Sequence, residues 1–294
     1  MKGFLVRAVT GIIFVAVLVG GMLYSQFTMM LLFALITGLC VWEFTTLVNQ
    51  RPGVQVNRFI TTVAGVYLFF AMAGYNSGMT PPSVFIPYLV SIVYLLIAEL
   101  YLRQPDPIHN WAYTMFSQMY VALPFSLLNV LAFTAAPSPY ADPAYSPLMP
   151  LMVFVFLWMN DTGAYCVGSL LGRHKLFPRI SPGKSWEGSI GGALVVLAVA
   201  YAVGWVNNLT IYDLDHPSTL CSGILSIPEW LGMGLVVVVF GTWGDLVESL
   251  FKRTMGIKDS GNILPGHGGM LDRFDSSLLA IPAVVVYLYT LTLF

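Results

Sequence analysis

The sequence predicts an all-α fold: a polytopic integral membrane helical bundle of about nine transmembrane helices, with its N-terminus in the cytoplasm. Three observations carry that prediction. Hydrophobic residues fill 57% of the 294 positions and charged residues only 9%, whereas soluble domains carry about a quarter charged residues. A chain this apolar cannot hide its side chains in one water-facing globule, so lipid is part of its solvent. Apolar runs close to the roughly 20 residues of a spanning helix recur along the chain. The 13 Lys and Arg fall on alternate loops, as the positive-inside rule requires of one cytoplasmic side.

The apolar runs cover residues 4–24, 27–48, 58–76, 84–102, 111–134, 148–171, 189–207, 230–250 and 275–294. The first follows Lys2 and Arg7 and superficially resembles a signal peptide. No small-x-small cleavage site follows it, so an uncleaved helix is expected. Turn-forming clusters divide the runs: Arg51-Pro52-Gly53, Thr80-Pro81-Pro82, Gln104 to Pro107, and the stretch from Pro137 to Pro150. Arg51, Arg58 and Arg103 follow the second and fourth runs. Arg173, Lys175, Arg179 and Lys184 follow the sixth, and Lys252, Arg253, Lys258 and Arg273 the eighth. The odd loops hold none, which places the C-terminus outside and requires an odd number of spans. The first half, 1–147, reads as structural helices. The second, 148–294, reads as the catalytic region, with cytoplasmic loops 172–188 and 251–274.

Cys40, Cys166 and Cys221 have no metal-ligand spacing and are expected to be buried small residues. Acids inside membrane segments are costly and usually functional. Asp161 lies in the sixth run, and Asp245 and Glu248 lie one helical turn apart in the last turns of the eighth. Glu43 and Glu99 lie near helix ends, where each is expected to pair with a loop cation or reach water.

The loop from Ser249 to Asp275 interleaves Gly256, Gly261, Gly266, Gly268 and Gly269 with Lys252, Arg253, Lys258 and Arg273. Glycines let backbone N–H groups approach an anion, and the cations supply the charge that phosphates demand. Asp272 and Asp275 are expected to open the last helix at i, i+3 and share a face. With Asp245 and Glu248 they suggest a Mg²⁺ site, because hard cations take carboxylate oxygens plus substrate phosphates. The loop from Gly172 to Gly192 repeats the combination with Ser181, Ser185 and Glu187. His267 is a ligand, a phosphate donor or a turn residue; His109, His174 and His216 carry no special reading. The residues describe an integral enzyme that binds Mg²⁺ and a polyphosphate at the cytoplasmic membrane surface.

At these positions the chain resembles the phosphatidate cytidylyltransferases (CDP-diacylglycerol synthases). That family's signature is met from Ser249 through Lys252-Arg253, Lys258-Asp259, Gly261, His267-Gly268-Gly269 and Asp272-Arg273 to Asp275. Asn160-Asp161 with Ala164-Tyr165, and Ser181 through Gly188, are also similar to the family; Ser185 stands where Thr is frequent. The likeness covers roughly residues 148–294.

The resemblance implies transfer of CMP from CTP to phosphatidic acid, giving CDP-diacylglycerol and pyrophosphate. It further implies Asp245 and Asp272 as ligands of Mg²⁺ assisted by Asp275, with room for a second cation such as K⁺. Asp245, Asp272, Lys252 and Ser249 are the expected catalytic residues. Arg253, Lys258, His267, Gly268, Gly269, Arg273, Lys184, Ser185 and Asp161 are the expected substrate contacts. The expected partners are CTP, phosphatidic acid in the bilayer and membrane lipids, without nucleic acid, and a homodimer through a small-residue helix face is a further option. A CTP-dependent polyprenol kinase and an ion-coupled transporter are the alternatives; each leaves part of the pattern unused.

Overall fold

The computed structural model describes residues 2–134, 143–211, 225–263 and 268–291. Cys221, His216, Gly266 and His267 lie outside them. Among the described residues, seven helical stretches are long and apolar enough to cross a membrane: Gln26–Val48, Arg58–Asn76, Pro82–Leu102, Pro107–Ala132, Leu148–Leu171, Trp186–Asn207 and Ile227–Thr254. Two shorter apolar helices, Val9–Tyr24 and Ser277–Leu291, stand at the expected first and ninth segments. The chain is an all-α polytopic membrane protein. Its chain divides into two compact units, residues 1–145 with 252–274 and residues 146–251 with 275–294.

The first unit begins with α1 (Lys2–Tyr24) and α2 (Gln26–Val48). Only Ser25 separates them, and it closes a capping box: its Oγ accepts from Thr28 N, and its own N–H donates to Thr28 Oγ1. That exchange satisfies donors at the start of α2 which the sharp turn leaves unmet. Next come α3 (Arg58–Asn76) and α4 (Ile86–Leu102), then α5 (Pro107–Ser117), which continues through a π-helical stretch, Gln118–Ala122, into α6 (Leu123–Ala132). Buried Gln118 donates to Thr61 O at 2.9 Å, so the widened turn holds a polar link to α3. β1 (Phe133–Thr134) and β2 (Ala144–Tyr145) pair antiparallel. Phe33, Phe44, Phe69 and Phe125 fill the core, and Phe274 from the later segment packs edge-on against Phe14, Phe33 and Phe125.

In the second unit, α7 (Leu148–Leu171) leads to a hairpin of β3 (Lys175–Phe177) and β4 (Ser181–Ser185), where an open loop was expected. α8 (Trp186–Ile211), α9 (Ile227–Thr254) and α10 (Ser277–Leu291) follow. α7 and α8 meet through small residues. A Cβ on Gly163 would lie 3.0 Å from Gly192 Cα, and one on Gly192 would lie 2.7 Å from Asn160 O. Close approach of this kind is how membrane helices associate where lipid removes the hydrophobic drive. Gly192→Leu is therefore expected to cost about 1–3 kcal/mol through overpacking, read as a lower thermal unfolding midpoint in detergent. An unchanged midpoint would refute this account of the α7–α8 contact.

Three expectations need correcting here. Cys40 is buried, but Cys166 is exposed on α7. Helix α9 runs on to Thr254, so Lys252 and Arg253 belong to its last turn, where cations complement the helix dipole. Gly256, at φ +70°, then closes that end. Its N–H donates to Arg253 O, and that of Ile257 donates to Lys252 O, a Schellman turn in place of an anion cradle. Asp272 and Asp275 do not share a helix face: Asp272 sits in the 3-10 turn Leu271–Arg273, and α10 begins only at Ser277. Phe274, which follows that turn, is buried in the aromatic core of the first unit.

Candidate active site

In the second unit a cavity of about 520 Å³ is lined by Asn160, Asp161, Lys175, Lys184 and Ser185, among others. The hairpin presents Lys184 to it. Glu187, in the first turn of α8, ties down the base of the hairpin by accepting from the amides of Arg173 and His174 and from His174 Nδ1. Ser185 Oγ accepts from Gly188 N at 3.1 Å and so caps α8; with a relative exposure of 5%, it is a buried hydroxyl at the cavity wall. Lys184 Nζ lies 2.5 Å from Asp245 Oδ2, and Asp245 Oδ1 accepts from Ser249 Oγ at 3.1 Å. Lys184, Asp245 and Ser249 thus form one connected group. Buried Asn160, which was not among the expected contacts, lines the same cavity, and its Oδ1 has no hydrogen-bond partner within the described residues. That oxygen packs against Gly192 of α8, where a Cβ would meet it at 2.5 Å.

The first unit holds Lys252, Arg253, Lys258, Gly268, Gly269, Asp272 and Arg273. Lys252 Nζ lies 2.7 Å from Asp272 Oδ1, and the pair is largely buried, with side-chain exposures of 13% and 5%. Asp272 Oδ2 accepts the amides of Ser260 at 2.8 Å and Gly269 at 2.9 Å. Burial pushes the Asp272 carboxyl up. The Lys252 ammonium and the two amides outweigh that effect and hold it below the ordinary carboxylate range. Gly268, at φ +83°, leaves room for Asp272 Oδ2, which a Cβ there would meet at 2.6 Å. Arg253, Lys258 and Arg273 are exposed. Asp275, in the second unit, accepts on Oδ1 from the amide of Ser276.

Of the two acids near helix ends, one departs from expectation. Glu99 is half-buried, still open to water, and accepts from Asn110 Nδ2 at 3.1 Å. Glu43 is buried, 6% exposed, and among the described residues meets no loop cation; it accepts from Ser260 Oγ and from the amides of Met270 and Leu271. The glycine-rich loop therefore does approach anions closely, but the anions it meets here are the protein's own carboxylates.

For a divalent ion, the donor chemistry fits. Asp245 and Asp272 offer hard oxygens that already face an ammonium cation at 2.5 and 2.7 Å. Among the described residues no group of three or more His, Cys, Asp or Glu could hold an ion unaided. A Mg²⁺ ion at either carboxylate would need further oxygens, such as those of a bound polyphosphate, its usual habit.

Comparison with known proteins gives a concordant result. The model of the "Cytidylyltransferase family" matches residues 5–291. A phosphatidate cytidylyltransferase of Haemophilus influenzae is 31% identical over 94% of this chain and 95% of its own. One from Staphylococcus haemolyticus is 32% identical over 96% of this chain and 98% of its own. One from Staphylococcus aureus is 45% identical over a shorter stretch, 47% of this chain and 48% of its own.

Proposed function

The chain belongs to the cytidylyltransferase family, and we propose on that premise that it is a membrane nucleotidyltransferase which joins the CMP of CTP to phosphatidate, releasing pyrophosphate and leaving CDP-diacylglycerol in the bilayer. The observation that carries this reading is the pairing, in one short segment, of a buried Lys252–Asp272 couple with the exposed cations Arg253, Lys258 and Arg273. That is the charge pattern of a site that grips a polyphosphate beside an acid.

The chemistry asks little of a general base. A lipid phosphate monoester has a second pKa near ~6 and is mostly dianionic at neutral pH. One of its oxygens forms the new bond to the α-phosphorus of CTP. The bond from that phosphorus to the bridging oxygen breaks, and pyrophosphate leaves with the electron pair. Arg253, Lys258 and Arg273 neutralise charge on the triphosphate, and Lys184, which lines the cavity of the second unit, is a further candidate phosphate contact. By the family pattern, Asp245 and Asp272, with Asp275 assisting, are the residues that would hold Mg²⁺. When bound, that ion supplies Lewis-acid stabilisation of the transferring and leaving phosphoryl oxygens. The one-sided distribution of Lys and Arg supports a cytoplasmic face for the site, where CTP arrives from water and phosphatidate from the membrane.

The test is purified protein in mixed micelles with phosphatidic acid, CTP and Mg²⁺. CDP-diacylglycerol and pyrophosphate are expected in equal amounts, whereas release of CDP with a phosphorylated lipid would overturn the reading in favour of a kinase. Chelation by EDTA is expected to abolish turnover and excess Mg²⁺ to restore it. Full activity in EDTA would remove the metal from the account.

A further inference from the structure

Glu43 lies in α2, 217 residues before its first partner, and belongs to none of the motifs that mark the site. Its Oε1 accepts Met270 N–H at 3.0 Å; its Oε2 accepts Leu271 N–H at 2.8 Å and Ser260 Oγ–H at 3.1 Å. Asp272 takes the amides on either side of these contacts, from Ser260 and Gly269. Ser260 thus gives its hydroxyl to one carboxylate and its amide to the other. The consecutive amides 269, 270 and 271 go to Asp272, Glu43 and Glu43 in turn. The small residues of the loop fit the same arrangement. A Cβ on Gly261 would stand 2.3 Å from Glu43 Oε1, and one on Gly269 would stand 2.6 Å from both Glu43 oxygens. The space those side chains would need is filled by the Glu43 carboxylate.

An acid buried in a membrane helix is expensive to keep. An apolar residue with a differently shaped loop would build the same helix at lower cost. We infer that Glu43 is a positioning residue for the reaction. It clamps the 269–271 amides, so that the Asp272 carboxylate and its Lys252 partner are held in one orientation toward the substrate. This inference rests on the reading of Asp272 as a group of the reaction centre.

The test compares full-length wild type with E43A, E43Q, G261A and E43A/G261A in the mixed-micelle assay, together with thermal unfolding and amide hydrogen exchange. E43A is expected to lower kcat by about 100-fold, the scale of loss that small misplacement of a catalytic group produces. KM for CTP and for phosphatidate should stay within roughly threefold, since no contact to substrate is removed. E43Q keeps one acceptor oxygen and should fall between E43A and wild type. G261A should lower kcat in the same direction, and E43A/G261A should be no worse than E43A alone, because both changes act through one contact. The amides of Gly269, Met270 and Leu271 should exchange faster in E43A.

Wild-type kcat in E43A, a double-variant defect equal to the product of the single ones, or a rate loss that only tracks the loss of folded protein would each overturn the inference. A wild type that makes no CDP-diacylglycerol would sink the function reading instead. Exchange at the three amides, measured without substrate, then decides the clamp by itself.

Discussion

Asp272→Asn is expected to lower kcat by about 10³-fold, the upper range for removing one preorganised electrostatic group from an active site. The carboxylate takes three donors in the structure: the Lys252 ammonium on Oδ1, and the amides of Ser260 and Gly269 on Oδ2. An Asn amide must direct its NH₂ either at the ammonium or at the two N–H groups, so one side of the arrangement becomes repulsive whichever way it turns. The substitution also leaves the Lys252 charge buried without its counter-ion and withdraws a hard oxygen ligand from any divalent ion. Steady-state rates in mixed micelles, with the unfolding midpoint measured alongside, separate lost chemistry from lost fold. A variant that keeps most of its rate would remove Asp272 from the reaction centre, and the Glu43 inference would fall with it.

Asp245→Asn is expected to cost about 10²–10³-fold in kcat on the same scale. Its two oxygens hold Lys184 and Ser249 together at the edge of the 520 Å³ cavity. Asp245→Asn replaces one of the two oxygens by an NH₂ group, so either the Lys184 ammonium or the Ser249 hydroxyl loses its acceptor. Lys184→Met should be milder when made alone. A double variant less impaired than the product of the two would show that the residues act as a pair. Near-normal rates in both Asp245→Asn and Asp272→Asn would end the metal-ligand reading, while leaving the overall reaction to stand on the product assay.

The helices were legible because lipid imposes a length and a polarity on every span, and both are written locally. Each of the nine expected apolar runs coincides with helix in the structure, with boundaries shifted by a few residues. The departures arise where local pattern competes with distant contacts. Asp272 and Asp275 read as a helical pair by spacing, yet Phe274 between them is drawn into an aromatic cluster with Phe14, Phe33 and Phe125, and the helix starts later. The hairpin of β3 and β4 was hidden in a segment whose Pro182-Gly183 reads as open loop; Glu187 and His174 close it through contacts 13 residues apart. Glu43 was misread most. Two of its donors are backbone amides, which carry no side-chain signature, and they lie more than 200 residues away. Of the candidate site, the motifs name the ionisable residues as candidates. Which cation neutralises which acid was not legible, because Lys184–Asp245 and Lys252–Asp272 are fixed by the fold.

The long reach of Glu43 also matters while the protein is being made. α2 leaves the ribosome 217 residues before Ser260, a delay of roughly 10–40 s at ordinary synthesis rates. Throughout that interval the donors that Glu43 meets in the folded protein, Ser260, Met270 and Leu271, do not yet exist. A product truncated before residue 260 would present that acid permanently.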